Sequence, residues 1–234
     1  MTTPDTVAVP APDLPPGAWP RLHDFTGWVA SWGFGLLVRR HVHGRSNVPA
    51  TGPVVLVANH SSLVDGPLIA SVLGRRPVFM IKREIYKGLL GTFLTRLGQI
   101  AVRRGTADRT PLLAAVRVLR GGGLIGIFPE GTRGSGEVAE AHNGAAWLAR
   151  SGGAVLLPVA CRGTYRVPGS KRRFRPRVDI LVGEPLPMPT QRGRAGLATA
   201  TEQVRASLAA LVTELDRLRD GGAPDVDERK VEST

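Results

Sequence analysis

Apolar residues in this chain gather into short continuous runs separated by longer periodic stretches. Val54 to Ala58, Val78 to Ile81, Gln99 to Val102 and Leu124 to Phe128 are each bounded by glycine, proline or polar residues, and Val155 to Ala160 follows Gly152-Gly153-Ala154. Runs this short and this apolar predict strands buried on both faces. Val178 to Val182 is a candidate for a sixth. Between the runs, helices are predicted over Pro67 to Leu73, Tyr86 to Leu97, Asp108 to Leu119 and His142 to Arg150. Pro67 suits a first helical position. Leu112, Leu113, Val116 and Leu119 share one side of their helix, and Gly121-Gly122-Gly123 stops it. Over residues 192–218, Val204, Leu208, Leu211, Leu215 and Leu218 recur every three or four positions, so a long amphipathic helix closes the domain. Strands alternating with helices predict the α/β class. The expected architecture is a single layered domain over residues 47–220, with a largely parallel central sheet flanked by helices.

Ahead of that domain the pattern changes. Phe25 to Val38 carries no charge, contains Trp28, Trp32, Phe34, Leu36 and Leu37, and runs straight into Arg39-Arg40. As a helix it reaches about 21 Å at ~1.5 Å per residue, against a hydrocarbon core roughly 30 Å thick. It is too short to span. One reading makes residues 21–46 an N-terminal amphipathic helix lying in a membrane interface, as tryptophans flanked by arginines suggest. The other makes it a cover for the core, with Gly27, Gly33 and Gly35 packing closely. The chemistry described below favours the first. Residues 1–20, rich in proline, and 221–234, rich in charge, are expected to be disordered tails. Residues 1–20 also lack the basic start and apolar core of a signal peptide.

Composition narrows the partners. The chain has 234 residues, 42% of them hydrophobic, enough for one domain with a substantial core, and a formal net charge of +12 that favours anionic partners. Aromatic content is only 5%, with no zinc-finger or RNP-like spacing, so no nucleic-acid partner is expected. Cys161 is the single cysteine, which excludes an internal disulfide and fits a reducing compartment. No metal and no cofactor are expected. Gly121 to Gly126 matches G-x-G-x-x-G, but it follows a helix and opens a strand, the reverse of a dinucleotide-binding turn.

Two strings carry the chemistry. Asn59-His60-Ser61-Ser62-Leu63-Val64-Asp65 closes the first strand, and Phe128-Pro129-Glu130-Gly131-Thr132-Arg133 closes the fourth. Strand ends are where α/β folds bind ligands. Five positions along a helix would not stack Asp65 on His60, but a loop before the helix could fold the two together. Ser62-x-x-Asp65 is a capping pattern that would tighten such a turn. A neutral imidazole with a carboxylate on its far nitrogen is a general base held in one tautomer. Neither serine has the Gly-x-Ser-x-Gly setting of a hydrolase nucleophile. The expected reaction is therefore direct attack of a substrate hydroxyl on an activated carbonyl. Arg104, Arg133 and Lys82 each follow a strand end, and along one rim they could hold a phosphate. Glu130 could accept a hydrogen bond from a substrate hydroxyl or pin Arg133, and Gly131 lets the backbone pass closely.

At these residues the chain resembles the glycerolipid acyltransferase family typified by 1-acyl-sn-glycerol-3-phosphate acyltransferases. Asn59, His60 and Asp65 match its first motif, Gly98 to Arg104 its second, Phe128 to Arg133 its third and Leu157-Pro158-Val159 its fourth. One departure is His142-Asn143-Gly144, where the family often has a basic residue just before the glycine. The resemblance implies transfer of an acyl group from acyl-CoA or acyl-carrier protein to a lysophospholipid acceptor. It implies His60 and Asp65 as the catalytic pair, with Arg104, Glu130, Gly131 and Arg133 shaping the acceptor-phosphate site; Thr132 beside them and Lys82, from its place on the rim, complete the candidate substrate-binding set. It also implies an anionic membrane surface as partner and a peripheral or monotopic place on the cytoplasmic face of the cell membrane. The basic stretch from Arg162 to Arg177 would face acidic lipid or carrier. Two alternatives stay open: acylation of another lyso-lipid or an amino-acid-containing lipid, and a non-catalytic lipid-binding protein on the same fold.

Overall fold

The computed structural model describes residues 13–103, 109–129, 143–165, 174–189 and 193–221. Seven strands form one sheet in the order β1-β7-β6-β2-β5-β3-β4. They are β1 Arg39–His43, β2 Val54–Ala58, β3 Pro77–Lys82, β4 Ile100–Val102, β5 Leu124–Ile127, β6 Val155–Arg162 and β7 Arg177–Val182. The helices are α1 Pro20–Leu37, α2 Asp65–Leu73, α3 Gly88–Arg96, α4 Thr110–Arg120, α5 Asn143–Gly152 and α6 Gly193–Asp220. β2, β3, β4, β5 and β6 run parallel, so their C-terminal ends lie along one rim. β7 pairs antiparallel with β6, and β1 parallel with β7. The expected α/β layer with a mostly parallel sheet is therefore present, with one antiparallel step.

The central strand shows why the runs are continuous. All five residues of β2 are buried. Val55 and Val57 face a core built with α4, α5 and α6, while Val54, Leu56 and Ala58 face one built with α2. Both faces are covered, so alternation would leave a polar side chain stranded. α6 lays Ala200, Val204 and Leu208 into the first of these cores, each fully buried. Each such valine or leucine contributes roughly 1.5–3 kcal/mol of apolar burial.

Three elements depart from expectation. The helix at the front ends at Leu37 rather than continuing to 46, because residues 39–43 enter the sheet as the edge strand β1. Val38 and Val42 pack partly buried against the α2-side core on alternate positions. Arg40, between them, donates to Ser31 O and Ser71 Oγ. The helix expected over Tyr86 to Leu97 is shorter, with a 3-10 turn at Arg83–Ile85 before α3. α2 starts at Asp65, two residues earlier than expected. The side chain that makes that start possible is the one that matters below.

α1 packs along α2. His23 Nε2 lies 3.0 Å from Pro77 O, and Ser31 Oγ donates to Ser71 O. Its other side leaves Phe25, Trp28, Trp32, Leu36 and Leu37 exposed. Gly27 and Gly33 face open space, so they do not serve close packing. Among the described residues, no helix is long and apolar enough to cross a membrane.

Candidate active site

β2 delivers His60 to the rim. Beyond its last residue, the side chain of Asn59 takes over the ladder: Nδ2 donates to Cys161 O at 2.9 Å and Oδ1 accepts from Cys161 N–H at 2.8 Å. Asn59 is fully buried. This two-armed bond fixes the backbone one residue before the imidazole. Sequence reasoning named Asn59 but assigned it no task, since its partner lies 102 residues away.

The chain then turns and α2 begins at Asp65. Its Oδ2 accepts from Ser61 N–H at 2.7 Å, from Ser62 N–H at 2.7 Å and sits 3.1 Å from His60 Nδ1. This is the backward-reaching half of a capping box, in which an acid in the first turn binds main-chain N–H groups ahead of the helix. The cap residue itself, Val64, contributes no side-chain bond. Asp65 has a 1% exposed side chain and His60 a 17% exposed one. Its Oδ1 has no hydrogen-bond partner among the described residues. Asp65 thus lies in the first turn of α2 with these N–H groups gathered on one of its oxygens. Ionised, it holds His60 with Nδ1–H donating and Nε2 free as a base.

The imidazole is also held by its face. Phe128, just beyond β5, stacks on it with ring centroids 4.2 Å apart. Lys82, at the end of β3, is exposed and lines the same cavity as His60. Arg104, Glu130, Gly131, Thr132 and Arg133 lie outside the described residues, as does His142. β4 and β5 carry the chain to the His60 rim immediately before the first two of them.

That cavity measures about 1990 Å³ and reaches from His60 to α1, α2 and α3. Thr26, Gly27 and Ala30 line one wall, and Leu90, Phe93 and Leu97 another. It is large enough and apolar enough for a lipid chain. Among the described residues, no group of three or more His, Cys, Asp or Glu could hold a metal ion. Cys161 is buried behind the site, and burial pushes its thiol pKa far up, so it stays protonated and inert.

A family model described as acyltransferase matches residues 39–162, more than half of the chain. The chain belongs to the acyltransferase family. Its match spans β1 to β6 and contains His60, Asp65, Lys82 and Phe128. This acyltransferase is 29% identical over 184 residues to a 1-acyl-sn-glycerol-3-phosphate acyltransferase of Bacillus subtilis (strain 168), covering 76% of this chain and 90% of the relative. It is 27% identical over 154 residues to 1-acyl-sn-glycerol-3-phosphate acyltransferase beta of Homo sapiens, covering 63% of this chain but 55% of that protein. Among solved structures it is similar to the 1-acyl-sn-glycerophosphate (LPA) acyltransferase PlsC of Thermotoga maritima. The TM-score is 0.66 and the identity 25%, over 84% of this chain and 79% of that one. The chain is thus an acyltransferase in fold and in family.

Proposed function

We propose that this acyltransferase moves a fatty acyl group from a thioester, acyl-CoA or acyl-carrier protein, to the free hydroxyl of 1-acyl-glycerol-3-phosphate, giving phosphatidic acid. The observation that carries the mechanism is the 3.1 Å contact between His60 Nδ1 and the buried Asp65, on the wall of the large cavity. His60 Nε2 takes the proton of the acceptor hydroxyl as its oxygen attacks the thioester carbonyl. A C–O bond forms, the C–S bond breaks, and the imidazolium returns its proton to the departing thiolate. Asp65 stabilises the imidazolium between those two events. The names of the relatives support the acceptor, and the cavity's apolar walls suit its acyl chain. Arg104, Arg133 and Lys82 are the cations for its phosphate, with Glu130, Gly131 and Thr132 shaping the same subsite.

The acyltransferase works at an anionic membrane surface, peripheral or monotopic on the cytoplasmic face. The exposed Phe25, Trp28, Trp32, Leu36 and Leu37 of α1, and the exposed Leu89, Leu90 and Phe93 of α3, support this reading, as does the net charge of +12. Leu90 and Phe93 also line the cavity, so the exposed apolar surface of α3 runs on into it.

The test is thiol release from a long-chain acyl-CoA in liposomes, with and without lysophosphatidic acid, for the native protein and His60→Ala. Release that requires the acceptor and disappears in His60→Ala is expected. Release without acceptor would instead mark a hydrolase, and full release in His60→Ala would remove the histidine from the mechanism.

A further inference from the structure

Phe128 occupies a place that hydrogen bonding to His60 does not explain. Its ring lies against the imidazole face, centroids 4.2 Å apart and planes 26° from parallel. From the β3 side Phe79 stacks on Phe128 in turn, at 5.7 Å and 10°. The strand order puts β5 between β2 and β3, so the three rings form a row along the rim. Phe79 is 7% exposed and lies across Gly126, its register partner on β5. A Cβ on Gly126 would stand 2.4 Å from the Phe79 ring. A glycine is therefore required there for the row to close. Phe128 has Phe79 behind it and His60 in front, and cannot swing away from either without repacking the strand end.

We propose that Phe128 is the positioning residue for His60, fixing the plane of the imidazole and lending its π face to the imidazolium that forms during proton transfer. An aromatic face stacks on a neutral ring and attracts a cation more strongly still, through its quadrupole. The stack thus favours the state His60 passes through more than the state it starts from, as catalysis requires. The inference rests on His60 acting as the general base. Among the described residues, Asp65 at the start of α2 lies 3.1 Å from His60 Nδ1, and Lys82 at the end of β3 lines the same cavity as His60. Neither changes when Phe128 does.

The experiment compares native protein with Phe128→Leu, Phe128→Met and Phe128→Tyr. Loss of the π face lowers kcat roughly tenfold in the first two, the fold-change expected from a cation–π contact of ordinary strength, with KM little moved. It also makes the imidazolium harder to form, so the acid limb of the kcat profile shifts to lower pH. Phe128→Tyr keeps the face and restores most of the rate and the limb. The same shift is read without substrate by NMR of ¹³C-labelled histidine. The chain has five histidines, and His60 is assigned by the resonance missing from His60→Gln. Phe128→Met keeps an apolar side chain of similar bulk and serves should Phe128→Leu fail to fold. An unshifted His60 titration in a folded Leu or Met variant overturns the proposal, as does a Tyr variant as slow as Leu. Native protein inert towards thioesters would sink the general-base reading instead, while the NMR titration would still decide the stack.

Discussion

Asp65 and Asp179 each have a side chain only 1% exposed, and under the mechanism proposed above the comparison between them separates a working carboxylate from a structural one. Asp179, on β7, is bonded by Arg177 Nε at 3.0 and 3.1 Å and by Arg219 Nη1 of α6 at 2.6 Å. Both oxygens are used, and two guanidiniums balance one charge. Among the described residues Asp65 is bonded through one oxygen only, by two main-chain N–H groups and one imidazole, none of which carries a fixed charge. Among the described residues it forms no ion pair with a lysine or arginine. Asp179 is complete at rest, and its neighbours tie β7 to α6. In the proposed mechanism Asp65 gains a full counter-charge when His60 takes a proton. At about 4 Å and an effective dielectric near 20, that attraction is worth about 4 kcal/mol. It appears only during the reaction, where such an interaction accelerates it.

Asp65→Asn breaks the comparison hardest. The amide oxygen can still accept from Ser61 and Ser62 N–H, so the turn survives, but the charge is gone and the His60 tautomer is no longer imposed. The rate should fall roughly 10³- to 10⁴-fold, as when a catalytic histidine loses its carboxylate, with a urea midpoint close to native. Acceptor-dependent thiol release measures the first and denaturation the second. A variant that kept a tenth of native kcat would show that Asp65 is a helix-start residue alone.

Asp179→Ala should do the reverse. It strands Arg177 and Arg219 beside a buried gap, a loss of about 3–5 kcal/mol for a sealed pair. Both arginines are about a quarter exposed, at 23% and 27%, so solvent relieves part of it and the lower end is expected. Stability from urea denaturation should drop while kcat per folded molecule stays native. A loss of kcat at unchanged stability would erase the distinction between the two aspartates.

The same contrast explains what could be read from the chain. His60 and Asp65 are five residues apart, in one turn between an apolar run and a helix, so local rules of strand ends and caps bring them into view. Asp179 sits inside the run Val178 to Val182, and nothing local marks its task, because its α6 partner is 40 residues away. Strand β1 was hidden for a related reason. Arg39-Arg40-His41-Val42-His43 is polar on its exposed positions, and what holds it in the sheet, the main chain of β7, the Val42 contact with the core and the Arg40 bonds to Ser31 and Ser71, comes from elsewhere in the chain. The antiparallel step between β6 and β7 and the row Phe79–Phe128–His60 both depend on which strands are neighbours. Gly126 was a clue: a glycine amid an apolar strand signals that something lies across it. What lies across it required the register.

A third buried polar group extends the comparison to the smallest effect. His23 is 7% exposed, with Nε2 3.0 Å from Pro77 O, and it fastens α1 to the start of β3. Burial lowers its pKa from the ordinary 6.5, outweighing the carbonyl bond and nearby Asp24, which act the other way. The folded protein therefore holds this proton less tightly than the unfolded chain. Stability linked to His23 is complete above pH 6.5 and is lost as the pH falls below it. Urea midpoints from pH 7.5 to 5.5 should decline in native protein and decline less in His23→Gln, whose amide still donates to Pro77 O but cannot titrate. The decline should be smaller than the drop from Asp179→Ala. An equal slope in both proteins would assign the acid sensitivity elsewhere and leave His23 a bond without a titration, closer in kind to Asp179 than to His60.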